Sequence, residues 1–291
     1  MNLTDYNEIQ ALLRRNDFHF SKSMGQNFLI APWVPEKIAD SALADEDTAV
    51  LEIGPGVGCL TEQLAKRAGK VLAVELDRSL KSVLSETLGA YENVEILYGD
   101  VLKQDIPALV RERFGEMRAV VCANLPYNVT SPLLTALLEA DCFETITVMI
   151  QREVARRICA APNTADYGAF SLLVQWHAET ELLFDVPPHC FHPQPKVTSS
   201  VIRLTRRKER PFAVSDEELL FRVIRAAFNQ RRKTLANALS AGLGLTRAEI
   251  ETALAECGLD ARIRGEALDL ASFVQITDAL RAKKANKSED L

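Results

Sequence analysis

The chain has 291 residues, of which 47% are hydrophobic and 25% charged, and a net charge of −6. This length can form one large domain and a smaller one, and the composition is that of a globular protein. The N-terminus lacks the basic start and apolar core of a secretory signal, and no apolar run approaches membrane-spanning length, so we expect a cytoplasmic protein. The six cysteines form no CxxC pair and lie mostly in apolar segments, which argues against a structural metal site.

The first thirty residues are predicted to form a helix followed by a loop. The helix covers 4–16, and the stretch 18–29 mixes aromatic, polar and glycine residues without a clear period. Such a loop could fold over a ligand, or it could cover a sheet edge as a strap. A second helix is predicted over 33–43.

Short apolar strands then alternate with helices. The predicted strands cover 48–53, 71–75, 94–98, 119–123 and 145–150. Strands separated by helices of this length indicate βαβ units, and therefore a mostly parallel sheet with helices on both faces. Open α/β sheets of this kind bind ligands at the carboxyl ends of their strands.

The next part of the chain predicts a helix and an antiparallel addition to the sheet. The helix covers 151–160. Residues 170–175 and 181–184 are predicted to form one long or two short strands, and 197–204 another. Because only the turn-rich segment 187–195 separates the last two, we expect them to pair antiparallel at the sheet edge.

The pattern places a domain boundary near Arg206, with 1–205 as the α/β domain and 206–291 as a small all-helical domain. Ser215 and Glu218 match a capping box at the start of a helix. At most three more amphipathic helices follow, and the charged tail from Lys283 is predicted to be disordered.

Basic residues are concentrated between Cys190 and Ser240. This segment holds eleven basic and four acidic residues, a net charge of +7 that leaves −13 for the rest of the chain. Such asymmetry indicates a surface for a polyanion, although a solvated helix face with incidental charge is the alternative. The residues predicted to grip phosphates are Arg222, Arg225, Arg231, Arg232 and Lys233. The first two lie on the polar side of the predicted helix, and Arg232 joins them if that helix continues.

Polar residues end three successive strands. The turn Gly54–Gly58 reads GPGVG, which lacks the spacing of dinucleotide-binding and P-loop motifs and so need not hold a phosphate. Glu75 can accept hydrogen bonds from both hydroxyls of a ribose, and Asp100 can accept one from an adenine amine. Each acid alone could be a solvated loop carboxylate. Their occurrence at successive strand ends instead indicates a site for S-adenosylmethionine.

The tetrapeptide Asn124–Tyr127 follows the fourth strand of this series. It combines an amide oxygen, a carbonyl whose direction the following proline restricts, and an aromatic ring. These groups suit a planar ligand with an exocyclic amine, such as adenine or cytosine. A strand-to-loop turn, with Asn and Pro as turn formers, is the alternative.

Three further motifs, QNFL at 26–29, FHPQPKV at 191–197 and FNQRRK at 228–233, accompany these residues. The series of motifs resembles that of the ribosomal RNA adenine dimethyltransferases. It comprises these three motifs together with EIGPGVG at 52–58, Glu75, Gly99-Asp100 and NLPY at 124–127. The resemblance is specifically to their KsgA type, which modifies two adjacent adenosines of small-subunit RNA. It covers the chain from residue 21 to about residue 270, and its departures inside motifs are changes of one small residue for another.

The resemblance implies a class I S-adenosylmethionine-dependent methyltransferase fold, which is Rossmann-like, with a small helical domain that binds RNA or the ribosome. It also implies a covering role for the loop within 1–30, and a target adenosine gripped by Asn124 and the Leu125 carbonyl between the rings of Tyr127 and Phe191. Since the sulfonium leaves as a neutral group, positioning and electrostatics suffice and no strong base is required. The implied cofactor-binding residues are Gln26, Asn27, Leu29, Gly54, Gly56, Glu75, Leu76, Asp100, Val101 and Asn124.

The expected function is therefore N6,N6-dimethylation of two adjacent adenosines in small-subunit (16S) ribosomal RNA during 30S assembly, by a monomer without metal or membrane partner. The related antibiotic-resistance type, which acts on large-subunit RNA, is one alternative. A ribosome assembly or RNA-binding factor with incidental activity is another. The segments 128–132 and 229–233 favour the small-subunit type, and the intact acidic and NLPY residues favour retained activity.

Overall fold

The structure is a computed structural model that describes residues 1–19 and 26–289, with side chains up to residue 282. The segment 20–25 of the predicted covering loop and the last two residues of the predicted disordered tail lie outside the described residues. The chain divides into two compact units. Residues 1–155 and 178–206 form the first, here called the sheet unit, and residues 156–177 and 207–291 form the second, the helical unit.

Nine strands and twelve α-helices are described. The strands are β1 Phe28–Leu29, β2 Thr48–Ile53, β3 Lys70–Glu75, β4 Val94–Tyr98, β5 Arg118–Asn124, β6 Thr145–Gln151, β7 Ala178–Val186, β8 Phe191–His192 and β9 Ser199–Arg206. The helices are α1 Tyr6–Arg15, α2 Trp33–Ser41, α3 Cys59–Ala65, α4 Lys81–Leu88, α5 Ile106–Phe114, α6 Thr130–Glu139, α7 Arg152–Ile158, α8 Ala169–His177, α9 Glu217–Asn229, α10 Leu235–Leu243, α11 Arg247–Glu256 and α12 Leu270–Glu289.

Seven strands form one sheet in the order β4-β3-β2-β5-β6-β9-β7. The first five are parallel, and β9 lies antiparallel between β6 and β7. All six residues of β2 are buried, as expected for a parallel strand covered on both faces. The predicted Rossmann-like fold with an antiparallel edge is therefore confirmed.

The parallel strands position the functional residues because their carboxyl ends meet at one edge of the sheet. The glycine turn follows β2, Glu75 ends β3, Asp100 follows β4, and Asn124 ends β5. A separate two-stranded pair lies beside this edge, in which β1 is antiparallel to β8 and Leu29 is opposite Phe191. This pair links the predicted covering loop to the FHPQPKV motif.

One predicted strand is wrong. Residues 170–175 belong to helix α8, which is part of the helical unit and not of the sheet. Leu172 and Trp176 are four residues apart and completely buried in the core of that unit, and the Trp176 indole donates to Glu217 at 3.0 Å. This apolar segment thus forms a helix, because the side chains that pack against it belong to other helices of the unit. The predicted 1–205 domain differs from the compact sheet unit by the segment 156–177 and by Arg206.

The start of α9 also differs from its prediction. The N-cap is Asp216, whose carboxylate accepts a hydrogen bond from the Leu219 N–H at 2.8 Å, whereas Ser215 bonds to Asp278. The helix ends at Asn229, so Arg232 does not continue its polar stripe. Three helices follow, as predicted, but the last extends through Glu289 into the tail that was expected to be disordered. Among the described residues, no helix is long and apolar enough to span a membrane.

Candidate cofactor and active site

A cavity of about 220 Å³ opens at the carboxyl edge of the sheet unit. All ten residues predicted to bind the cofactor line it, and so do Leu125 and Tyr127 of the predicted catalytic corner. Its lining contains the acids Glu52, Glu75, Asp77 and Asp100. Within the described part of the lining there is no lysine, arginine or histidine. The cavity therefore suits a cationic or hydroxyl-bearing ligand and would repel a phosphate.

The glycine turn supplies open backbone at the floor of the cavity. Gly54 and Gly56 have φ angles of +70° and +60°, a region that side chains with a Cβ rarely adopt. A Cβ at Gly56 would also lie 3.2 Å from ring carbons of Phe28. The absence of side chains thus lets the covering strand β1 approach the turn closely.

Glu75 is held in place from two sides. Its Oε1 accepts a hydrogen bond from the Asp77 N–H at 2.7 Å, and its Oε2 accepts one from the Gly56 N–H at 3.4 Å. Its burial raises the pKa of the carboxyl above the ordinary value. Asp77 in turn accepts a hydrogen bond from Gln26 Nε2 at 2.7 Å, which ties the covering loop to the acidic side of the cavity. Sequence reasoning missed Asp77; its signal is an Asp two residues before Ser79, which it caps.

Asp100 also lines the cavity, and it follows β4, the strand next to β3. It caps a short 3₁₀ helix by accepting the Leu102 N–H at 3.0 Å. Leu76 and Leu102 line the same cavity, and 55% and 41% of their surfaces are exposed. Exposed apolar side chains in a cavity that also holds a carboxylate suit a planar apolar ring that bears a hydrogen-bond donor. Adenine has both properties.

Hydrogen bonds fix two of the residues at the corner that ends β5. The Leu125 N–H donates to the Met149 carbonyl at 3.1 Å, and Leu125 is buried. The Tyr127 hydroxyl lies 2.6 Å from the Ser199 hydroxyl, which fixes the ring from its far end, and burial raises the pKa of this phenol. The half-buried Asn124 side chain makes no hydrogen bond within the described part of the chain, so its amide is available to a ligand.

Phe191, the other predicted stacking ring, is buried. It lies in β8 opposite Leu29, is only 2% exposed, and packs in the core of the sheet unit. It does not line the described cavity. The stacking of Phe191 on a target base stays a prediction.

Glu52 is a second residue that sequence reasoning missed. It lies in β2, lines the cavity, and is 1% exposed. Its Oε2 is completely buried and has no hydrogen-bond partner among the described residues. Burial raises the pKa of this carboxyl to about 8. The sequence signal was an acid within a strand whose other residues are apolar or small.

The five basic residues predicted to contact phosphates lie in the helical unit, and they differ in whether their side chains contact other residues of that unit. Arg222 and Arg225 are exposed on α9, and Arg232 and Lys233 are exposed in the turn before α10. Arg231 instead donates to the carbonyls of residues 165 and 167 and lies 3.8 Å from a carboxylate oxygen of Glu266. Arg231 is also exposed, but its guanidinium is held by contacts within the unit that are not found for the other four predicted residues.

These residues fit S-adenosylmethionine, which carries a ribose, an adenine and a net positive charge. Glu75 and Asp100, the acids predicted to accept hydrogen bonds from the ribose and the adenine amine, both line the cavity, and Glu52 has a buried oxygen without a hydrogen-bond partner among the described residues. The charged side chains in the described lining are all acids, which matches the positive charge of such a ligand. In the described part of the chain, no three His, Cys, Asp or Glu side chains are grouped to hold a metal ion.

Comparison with known proteins gives a consistent result. The family model described as ribosomal RNA adenine dimethylase matches residues 17–281. A Geobacillus thermodenitrificans protein named ribosomal RNA small subunit methyltransferase A is 50% identical over 274 residues, 92% of this chain and 94% of that protein. The protein of the same name from Lachnoclostridium phytofermentans is 47% identical over 285 residues, 97% of this chain and 98% of its own length.

Two solved structures are also similar. The 23S rRNA methyltransferase ErmE has a TM-score of 0.67 and 28% identity, covering 87% of this chain and 99% of its own. A dimethyladenosine transferase from Plasmodium falciparum has a TM-score of 0.69 and 24% identity, covering 89% and 97%, a likeness that concerns the fold alone.

Proposed function

The chain belongs to the ribosomal RNA adenine dimethylase family, and from this premise we propose that it dimethylates N6 of two adjacent adenosines in small-subunit rRNA during assembly of the 30S subunit. As a family member it is an S-adenosylmethionine-dependent rRNA adenine dimethyltransferase. One observation carries the proposal in the molecule itself. The cavity whose described charged lining residues are all acids, which suits a cationic nucleoside, is also lined by Asn124–Tyr127.

The relatives support small-subunit over large-subunit RNA. Proteins named for the small subunit are 47–50% identical over more than nine-tenths of this chain, whereas the 23S methyltransferase is 28% identical. Both types share the fold, so the fold itself does not separate them. The higher identity along nearly the whole length favours the small-subunit substrate.

We assign the parts of the cavity to the parts of the cofactor as follows. Glu75 would accept hydrogen bonds from the ribose hydroxyls, and Asp100 would accept one from the adenine amine between the exposed leucines 76 and 102. Asn27 and Leu29 would cover the ligand from the loop that Gln26 ties to Asp77. The glycine turn at 54–56 would pass beneath it, with Val101 beside Asp100. When bound, the cofactor supplies a methyl group on a sulfonium, which is an activated leaving group.

The target adenine would be gripped at the end of β5. Its N6 is a weak nucleophile because its lone pair is delocalised into the ring. The Asn124 Oδ1 and the Leu125 carbonyl would accept the two N6 hydrogens and direct the lone pair toward the methyl group. Met149 holds the Leu125 peptide in place, and the Tyr127 ring, anchored at Ser199, would stack on one face of the base. The buried Phe191 is not assigned to the other face.

The partner is ribosomal RNA, and we propose that it is bound within an assembling 30S particle by a monomeric, metal-free enzyme in the cytoplasm. The exposed basic side chains at 222, 225, 232 and 233 would contact phosphates without reading bases. The work of such an enzyme takes place where ribosomal subunits assemble, which supports the cytoplasmic location.

The test is methyl transfer from labelled S-adenosylmethionine to unmethylated small subunits and, separately, to large-subunit RNA. We expect label only in the small-subunit RNA, as N6,N6-dimethyladenosine at two adjacent positions. Label confined to large-subunit RNA would reject the proposed substrate. Binding of small subunits without any label would support a purely assembly-related role instead.

A further inference from the structure

Gln151 is the last residue of β6, the strand beside β5, and it lies on the same face of the sheet as Asn124. Met149, two residues before Gln151, is opposite Asn124 in the parallel pairing of the two strands. Met149 also packs in the same core cluster as Cys122, which lies two residues before Asn124. Side chains two residues apart along a strand point to the same face. Asn124 and Gln151 therefore share one face at the carboxyl edge of the sheet.

The strand on the other side of β6 brings Ser199 to the same place. Ser199 in β9 is directly opposite Gln151 in the antiparallel pairing. Opposed residues of such a pair share a face and have Cβ atoms about 4.5–5.5 Å apart. The Ser199 hydroxyl lies 2.6 Å from the Tyr127 hydroxyl. Gln151 thus lies next to the residue that holds the Tyr127 ring, within reach of the space beside that ring.

The Gln151 amide is available while its backbone is fixed. The side chain is half-buried and makes no hydrogen bond within the described part of the chain. Its backbone is held by the pairing with β9, and the next N–H, of Arg152, donates to the Thr198 carbonyl at 3.0 Å. A side-chain amide offers two N–H donors and one acceptor oxygen. Gln151 therefore presents unoccupied donors from a rigid strand end.

An adenine at this corner offers more than its amine. In the grip proposed above, the Asn124 Oδ1 and the Leu125 carbonyl accept the two N6 hydrogens. The amine is flanked by the ring nitrogens N1 and N7, and both are hydrogen-bond acceptors. A base taken out of its stack loses its partners there, and pockets for such bases replace them with hydrogen bonds of their own. A neutral donor on the face shared with Asn124 suits this requirement.

We propose that the Gln151 amide recognises the target adenine by donating a hydrogen bond to one of these two ring nitrogens. This assignment rests on the proposed function, because it takes the amine to be held at Asn124; adenine as the target base follows from the family. Gln151 is not among the described residues that line the cofactor cavity, so its contact is with the base and not with the methyl donor. A contact with N7 would also exclude cytosine, whose amine has a ring nitrogen on one side only.

The experiment is a cycle between the residue and the base atom. Unmethylated small subunits are reconstituted with adenine, 7-deazaadenine or 1-deazaadenine at the target positions; each deaza base replaces one ring nitrogen by C–H and keeps the amine. Single-turnover methyl transfer is measured for the unmodified chain and for Gln151→Ala, with saturating S-adenosylmethionine and subsaturating subunits. Comparing the two proteins on the same base cancels any change in the intrinsic reactivity of the amine.

With adenine, Gln151→Ala should be about threefold to tenfold slower, which is the net value of one neutral hydrogen bond. With the deaza base that lacks the contacted nitrogen, the two proteins should transfer at equal rates. With the other deaza base the full difference should remain, which identifies the nitrogen. A rate loss that is the same with all three bases, or no loss with adenine, would overturn the inference.

Two further variants separate recognition from support of the fold. Gln151→Glu keeps the shape of the side chain but has no donor when it is ionised, so it should be at least as slow with adenine as Gln151→Ala. Gln275→Ala removes the same side chain from an exposed position of α12 and should match the unmodified chain on every base. Affinity for S-adenosylmethionine, measured by calorimetry, should be unchanged in both Gln151 variants. A loss of that affinity as large as the loss of rate would show instead that Gln151 supports the cavity.

These outcomes are separable from those of the proposed function. If the unmodified chain methylates adenine only in large-subunit RNA, the proposed substrate is wrong, and the same cycle on that RNA decides the role of Gln151. If the chain methylates small subunits but Gln151→Ala loses the same rate with all three bases, the substrate stands and this inference fails.

Discussion

Replacing Asn124 with alanine tests whether its side chain acts in methyl transfer or only supports the folded structure. The Asn124 side chain lines the cavity, is half-buried, and makes no hydrogen bond within the described residues. Its removal therefore leaves no partner unsatisfied, and the free energy of unfolding should change by about 1 kcal/mol or less. Loss of one preorganised group that stabilises developing charge costs about a hundredfold to a thousandfold in rate, or about 3–4 kcal/mol. We expect that range for methyl transfer.

The assay is single-turnover transfer from labelled, saturating S-adenosylmethionine to unmethylated small subunits, with subunit binding measured in parallel. Asn128→Ala is the matched control, since it removes the same group four residues further on, at an exposed position outside the cavity lining. We expect the Asn124 variant to bind subunits normally and the Asn128 variant to retain full activity. If the Asn124 variant loses subunit binding as much as methyl transfer, Asn124 is architectural and the reasoning fails.

Three further predictions concern other parts of the molecule. Gly56→Ala should lower the free energy of unfolding by about 1–2 kcal/mol, because its φ of +60° disfavours a Cβ, and should weaken cofactor binding; unchanged denaturation and titration curves would contradict this. Tyr127→Phe should lower the free energy of unfolding by only about 1 kcal/mol, because it removes the hydroxyl contact with Ser199, and should keep the rate of methyl transfer within about tenfold. Tyr127→Ala should lower that rate far more if the ring stacks on the base. Charge reversal at Arg222 and Arg225 should weaken subunit binding and reduce its salt dependence, while cofactor titrations stay unchanged; a salt slope equal to that of the unmodified chain would refute phosphate contact.

The features that sequence alone determined are local or periodic. Apolar strands alternating with helices specify a parallel sheet, and such a sheet brings the ends of its strands to one edge. Gly54, Glu75, Asp100 and Asn124 each follow or end a strand, so their convergence could be predicted before any coordinates existed. The cavity lined by all ten predicted cofactor residues agrees with that expectation.

Other features depended on residues far away in the chain. The run 170–175 is apolar enough for a strand, and only its burial against α9 and its neighbours makes it helical. Phe191 lies in a motif typical of a ligand site, yet its pairing with Leu29, more than 160 residues earlier, places the ring in the core. The sequence around each of these residues does not predict its environment, because the side chains that bury it come from distant parts of the chain.

Glu52 most clearly shows the difference between what the sequence predicts and what only the tertiary structure decides. Sequence shows an acid within a buried strand, but whether such an acid is paired depends on every side chain that the fold brings to it. Only the tertiary structure places the neutral thiols of Cys59 and Cys122 and a second carboxylate around it, and no cation in the described cavity lining. The strand ends could be predicted because they follow from the chain's own periodicity, whereas the charge balance of the cavity depends on neighbours assembled from separate strands and helices.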